Sequence, residues 1–276
     1  MKNKLIAVCA LLIATSAFAK DVVKTDNTKE IAMDQKLSRV YDLYRKGDAV
    51  SLNSKETMVG VGINYSINDK NTLGLRESTR ALTTQAFASR GIGHGMEISV
   101  SAPYTVQSQN MTSGNEVLGN KTFSGFGDPT VRLMGTLPTK DFTTTLFAST
   151  TIPVGDTMFS PYGMHTSFGV NLNKVLRPAF VSGGLSWERD WKSGTNGVGY
   201  NAGVGFFLNH SLSVGGGING ILMLNPENGR ARDLASFGLK IAYQTTPNFG
   251  VVASTNFGLT ADTPPVAVGI TAYWRF

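Results

Sequence analysis

His165 and Ser167 stand two residues apart in a segment of alternating polarity, which puts both side chains on one face of a strand. A histidine beside a serine hydroxyl is the pairing that acyl transfer needs, provided a third group orients the base. Asn171 shares that face, but no wider motif surrounds the pair. A lipid hydrolase using His165 and Ser167 is therefore an alternative resting on two residues. His94 and His210 fall in turn-like stretches and read as solvated. No grouping of His, Asp and Glu has metal-ligand spacing, so neither a metal nor a cofactor is expected. Cys9 is the single cysteine. It lies in an N-terminal apolar run, so the rest of the chain has no disulfide or thiol chemistry.

A second set of residues has chemistry of another kind. Arg76, Arg80, Glu97, Asp128, Arg132, Glu188, Lys240 and Arg275 sit at or near the phase opposite the apolar positions of their segments. Facing a water-filled lumen, they would form a selectivity constriction of opposed charges or a ladder of ion pairs bracing a wall. Glu227, Asn228, Arg230 and Asp233 lie in one polar loop, and Asp156 and Asp262 in others. These residues suit contacts to divalent cations or lipopolysaccharide, or simple solvation.

The elements that must carry these residues have a period of two from Thr57 onward. Met96, Ile98, Val100, Ala102 and Tyr104 oppose Glu97, Ser99, Ser101 and Thr105; Val198 through Leu208 and Phe237 through Tyr243 alternate likewise. Twelve such segments centre near Ile63, Thr79, Val100, Leu133, Leu146, Val170, Leu185, Gly203, Gly217, Leu239, Ala253 and Ile270. The second, Leu73 to Arg90, separates its faces poorly, which points to a bulge near Arg80. Short turns alternate with longer polar connections, the longest being Gln107–Gly125, whose Asn, Ser, Thr and Gly content reads as a mobile external loop. The 31 glycines suit a turn-rich β chain, and on the inner face they leave room in a lumen.

The two ends set the compartment. Lys2 and Lys4 precede an apolar stretch, Leu5 to Ile13, and Ala17-Phe18-Ala19 is a small-x-small cleavage site, so residues 1–19 read as a removed Sec signal. No segment has the roughly 18 apolar residues of a membrane-spanning helix. The mean hydropathy of −0.04 fits an apolar exterior averaged with a polar lumen. Net charge is +6, and without Lys2 and Lys4 it is +4, with 23 basic against 19 acidic residues, too mild and dispersed for nucleic-acid binding. At the other end Val266, Val268, Ile270, Ala272, Trp274 and Phe276 share one face that stays apolar to the last residue. That suits a lipid-facing closing strand, with Trp274 and Phe276 as the signal read by the barrel-assembly machinery.

Between signal and strands, residues 20–56 carry an amphipathic segment. Thr28 caps a helix running from about Lys29 to Lys46, with Gly47 ending it. Leu37, Val40, Tyr41 and Tyr44 lie along its apolar stripe. Such a helix would either plug or gate the barrel, or pack as a periplasmic leader against the rim. The expected architecture is all-β. It is a 12-stranded antiparallel transmembrane β-barrel over residues 57–276, in the Gram-negative outer membrane, contacting lipid and lipopolysaccharide.

Several stretches resemble one family of outer-membrane barrels. They are Gly127-Asp128-Pro129, Gly135-Thr-Leu-Pro-Thr139, Thr150-Thr-Ile-Pro-Val-Gly155, Phe168-Gly-Val-Asn-Leu-Asn-Lys174 and Lys174-Val-Leu-Arg177-Pro178 onward to Trp187. The family is that of the transporters named for the MetA pathway of phenol degradation, together with the related functional-amyloid secretion channel. Arg177 stands where the family usually has Asp, and only residues 20–56 precede the barrel where the amyloid channel has a long coiled coil. The resemblance implies a twelve-stranded channel, as a homotrimer in one form, closed in some states by its N-terminal helix. It also implies passive or gated passage of small solutes, hydrophobic or aromatic ones included; the alternative is export of fibre-forming subunits.

Overall fold

The computed structural model describes residues 51–72, 75–113, 116–138, 142–160, 163–176, 178–224, 232–261 and 263–276. The expected signal, and the helix carrying Leu37, Val40, Tyr41 and Tyr44, lie outside the described residues. The described chain forms β1 (Thr57–Thr72), β2 (Leu75–Gly93), β3 (Met96–Ser113), β4 (Glu116–Phe126), β5 (Thr130–Pro138), β6 (Thr143–Thr151) and β7 (His165–Val175). It continues as β8 (Ala179–Asp190), β9 (Asn196–Phe207), β10 (Leu212–Met223), β11 (Arg232–Thr246), β12 (Phe249–Gly258) and β13 (Val266–Arg275).

Every pairing is antiparallel and nearly all join sequence neighbours. β13 returns to β1, from Met58 opposite Arg275 to Ile67 opposite Val266. The seam is finished by Thr57 N–H donating to the Phe276 carbonyl at 3.1 Å and Phe276 N–H donating to the Thr57 carbonyl at 2.8 Å. The ring therefore has no free edge at its seam, and in lipid only such closure satisfies the backbone of a sheet. Each of the twelve expected centres falls in a different wall strand.

The thirteenth strand corrects the reading of Gln107–Gly125 as a mobile loop. β3 is long. Its first part, Met96–Ser101, pairs with β5, and its second, Tyr104–Ser113, pairs with β4. β4 and β5 are thus one wall strand interrupted at Gly127-Asp128-Pro129, and β1 to β4 project beyond the rest of the rim. Above the bilayer neither face of a sheet needs to be apolar, so Asn, Ser and Thr on both faces erased the alternation. The same explains the poor faces of β2. Its register against β1 runs unbroken from Thr57–Arg90 to Thr72–Leu75, with no bulge at Arg80; the irregularity is at Gly91–Gly93 against β3.

The outer face is exposed and apolar, with Val61, Ile63, Leu146, Leu185, Ile241 and Ile270 among its members. An apolar surface of that extent belongs in lipid. Aromatic pairs mark both of its borders. Phe249 and Trp274 lie 4.3 Å apart at the end where β1 begins and β13 finishes. Phe168–Trp187 at 5.1 Å and Tyr104–Phe126 at 5.0 Å lie toward the far end. The packed core sits inside the ring: Leu52, Met58 and Tyr273 are buried together, with Phe87 and Val252 against them.

Candidate functional site: the lumen and its two mouths

Directly opposed residues of an antiparallel pair share a face, so the registers fix what the lumen sees. Serine, threonine, asparagine and glycine dominate it. Asn201 donates from its amide to Asn171 Oδ1 at 3.0 Å. Ser236 donates its hydroxyl to Asn219 Oδ1 at 3.1 Å, and the hydroxyls of Thr83 and Thr105 meet at 3.0 Å. Inward aromatics interleave with this polar wall. Phe147, opposite Met134, carries the Arg132 guanidinium 4.4 Å from its ring centroid. Phe180 and Phe207 pack with centroids 5.0 Å apart.

The inward glycines do something other than leave open space. A side chain at Gly60 would overlap the Phe87 ring, and one at Gly205 would overlap Phe180. At these places the missing Cβ lets an aromatic ring lie flat against the wall. The space the glycine leaves is filled by a neighbour.

At the terminal mouth the chain just before β1 lies along the inner rim. Ser51 N–H donates to Thr136 Oγ1 at 2.8 Å, and Ser51 Oγ donates to the Gly95 carbonyl at 2.5 Å. Leu52 N–H then donates to Glu97 Oε2 at 2.8 Å, while the Leu52 side chain is 5 % exposed. Lys55 N–H donates to the Gly91 carbonyl and Gly91 N–H to the Glu56 carbonyl. Glu56 Oε1 lies 3.1 Å from Arg275 Nε, with both side chains 18 % exposed. This strap, Ser51–Glu56, is nailed to β5, β3, β2 and β13 in turn. Gly91 has to be glycine-sized, since a Cβ there would strike the Asn53 carbonyl.

At the far mouth the connection from β6 to β7 folds onto the inner wall. Phe126 is exposed beside outward Tyr104, so Gly125 faces the lumen; a side chain on Gly125 would strike the Asp156 carboxylate. Asp156 Oδ2 accepts the Phe126 N–H at 2.7 Å. Asp128 Oδ1 accepts Gly155 N–H at 2.9 Å, and Asp128 Oδ2 accepts the Ser160 hydroxyl at 2.6 Å. Two stretches of the family resemblance, Gly127-Asp128-Pro129 and the run ending at Gly155, are therefore one contact in space.

Of the eight charges expected at the lumen, Glu97, Arg132, Glu188, Lys240 and Arg275 fall in inward phase. Lys240 is opposite Gly215 and Ser254. Asp128 sits at the far rim and holds the folded loop. Arg76 and Arg80 are corrections. Arg80 is opposite Ile67, which is itself opposite lipid-facing Val266, so it shares their outer phase. Arg76 does too, and its Nη2 meets Asp69 Oδ2 at 3.2 Å on the projecting hairpin. Past the bilayer an outward arginine costs nothing, which is why phase misled there. Tyr200 is an outward polar group of another sort: its hydroxyl crosses Gly220 to donate to Asp233 Oδ1 at 2.9 Å.

His165 and Ser167 do share the inner face, but their partners differ. His165 Nε2 is 3.5 Å from Glu188 Oε2. The Ser167 hydroxyl meets that of Ser149 at 2.8 Å. A base and nucleophile that each bind someone else do not form the relay that acyl transfer requires. The strap and the tethering role of Asp156 escape sequence reasoning because neither segment is periodic. The one available signal was glycine: Gly91, Gly125 and Gly155 each sit where chain passes over chain.

No curated protein matches this chain. Among solved structures, it is similar to the COG4313 outer membrane channel from Pseudomonas putida F1. That likeness has 13% identity, covers 83% of this chain and 98% of the other, and gives a TM-score of 0.60. It is also similar to the NanC porin, at 11% identity over 78% of this chain and 97% of the other, with a TM-score of 0.50. At these identities the likenesses establish the outer-membrane-type barrel fold. The family description of the MetA pathway of phenol degradation matches residues 78–276, from β2 to the end. The chain belongs to that family.

Proposed function

We propose that the protein is an outer-membrane channel for small solutes, with the strap at its terminal mouth as part of a gate. The observation that carries this is a closed ring whose inner wall is polar and whose terminal mouth is lined along one side by the chain's own Ser51–Glu56. A barrel meant only as a scaffold needs neither an inner face rich in hydroxyls and amides nor a chain segment secured inside its rim.

Within small solutes, apolar and aromatic ones are the class we favour, on the family description. The inward rings do not themselves form the path: Phe180 and Phe207 are buried against each other, Phe87 packs on the Leu52 cluster and Phe147 lies under Arg132, so the solute meets mainly hydroxyls and amides. The family's link to phenol degradation agrees with that class. Trp274 and Phe276, on the strand that closes the ring, serve in this reading as the assembly signal.

Planar-bilayer recording and liposome swelling test the proposal. The expected result is small, intermittent conductance for the full chain and a larger, steadier one after deletion of residues 20–52. Uptake should be faster for phenol-sized solutes than for disaccharides. Absence of current and of swelling in both proteins would overturn it.

A further inference from the structure

We infer that the connection Ile152–Ser160 is a second constriction, at the far mouth, and that Asp128 and Asp156 are the residues that position it. The inference rests on the reading of the lumen as a channel and adds the element that limits solute size from outside.

The geometry fixes the connection on the lumen side of the wall. Gly125 and Gly127 both face inward, at the break between β4 and β5. The space that a Gly125 side chain would take is filled by the Asp156 carboxylate, and a Cβ on Gly127 would meet Pro103 and the Phe159 carbonyl. Gly155 presses on the backbone of Gly127 and Asp128, so a side chain there would strike main chain, whereas at Gly125 it would strike only the Asp156 side chain. The loop is therefore laid against the inner wall at the one place where that wall strand is interrupted.

The interruption explains the need for tethers. Between β4 and β5 the strand stops pairing, which frees backbone groups that the loop then takes up. Asp156 N–H donates to the Phe126 carbonyl at 2.7 Å, and Ile152 N–H donates to the Pro129 carbonyl at 2.9 Å. The carboxylates add Asp156 to Phe126 N–H, and Asp128 to Gly155 N–H and the Ser160 hydroxyl. Charge-assisted bonds of this kind are stronger than neutral ones, and two of these three end on backbone. Asp156 also accepts Phe159 and Ser160 N–H on its carbonyl, both at 2.8 Å, so the turn is stiff. A stiff loop tethered by two side chains is a built constriction. Removing the two side chains should free it while leaving the twelve-stranded ring intact.

A crosslink tests this directly. An ideal Cβ at Gly125 lies 3.0 Å from the Asp156 Cβ, nearer than the roughly 3.5–4.5 Å of disulfides, so the bridge closes once the loop gives by about half an ångström. Gly125→Cys with Asp156→Cys should oxidise readily with diamide, detected by gel mobility. Oxidised, it should keep wild-type conductance and size cut-off. After reduction the loop has lost its Asp156 tether, and conductance should rise roughly twofold, as for a widened mouth. The double variant Asp128→Ala with Asp156→Ala, which loses both tethers, should conduct more than the reduced form, and Asp128→Asn alone, which keeps the acceptor for Gly155, should stay near wild type. Equal cut-offs in oxidised and reduced forms would overturn the inference while leaving the channel reading intact. Failure to crosslink in a folded barrel would also overturn it. Silence of every protein, including the 20–52 deletion, would overturn both.

Discussion

The two mouths of this barrel are narrowed by the same device, a piece of chain folded onto the inner wall, yet they are held by different forces. At the terminal mouth the strap is packed: Leu52 joins Met58, Phe87, Val252 and Tyr273 in an apolar cluster, and Glu56 meets Arg275 in a partly buried pair. At the far mouth the loop is tethered. Its fasteners are hydrogen bonds to two carboxylates, and its apolar residues Val154 and Met158 are exposed. Packing loses contact area all at once when it fails, whereas tethers fail one at a time. The terminal strap should therefore behave as an all-or-none closure and the far loop as a graded limit.

The largest expected effect follows from attacking the packed end. Leu52→Asp places a charge among apolar groups, and the strap should leave the lumen, since exposing the segment costs less than burying the charge. Conductance should approach that of the 20–52 deletion, while Leu52→Met, of similar volume, should stay near wild type. If Leu52→Asp leaves single-channel currents unchanged, the contrast between the mouths loses its basis.

Overpacking the wall comes next. Gly205→Val forces the Phe180 ring away from the wall and into the lumen, with an expected loss of about 1–3 kcal/mol in barrel stability. Heat-modifiable migration on gels would register this as a lower transition temperature. Gly119, around which a Cβ meets nothing, supplies the control: Gly119→Val should be silent by comparison.

Where sequence succeeded and failed follows the same division between the wall and what is folded onto it. The period of two marks every wall strand from Ile63 to Ile270, because lipid on one side and water on the other enforce it residue by residue. It fades where β2, β3 and β4 rise out of the bilayer and both faces meet water, so phase puts Arg80 on the wrong face there and leaves β4 looking like loop. It has no purchase on Ser51–Glu56 or Ile152–Ser160, which follow the wall without being part of it. Glu97 and Arg275 are legible as inward charges, but their partners are not, because a partner lying along the inner rim leaves no spacing in the chain.

A more moderate effect is expected from the ion pair of the strap. A double-mutant cycle over Glu56→Ala and Arg275→Ala should give a coupling of about 1–2 kcal/mol, between the value of exposed pairs and the larger loss on breaking buried ones. Screening should weaken it little between low and moderate salt, since both side chains are largely shielded. A coupling near zero would mean that Leu52 packing alone holds the strap.

The smallest effect should come from Ser167→Ala. The hydroxyl it removes has Ser149 as a partner in the lumen wall, and Ser149 sits in a wet, half-buried stretch where water can replace the lost bond. Stability should change by a few tenths of a kcal/mol, and conductance should not change at all. His165 keeps its contact with Glu188 in that variant, so the two predictions separate cleanly. Lipid hydrolysis that is measurable in the purified protein and lost on Ser167→Ala would restore the enzymatic reading. It would also make the far mouth a chemical site as well as a physical limit. The geometry argues the other way, because the Ser167 hydroxyl is engaged with Ser149 while His165 is engaged with Glu188.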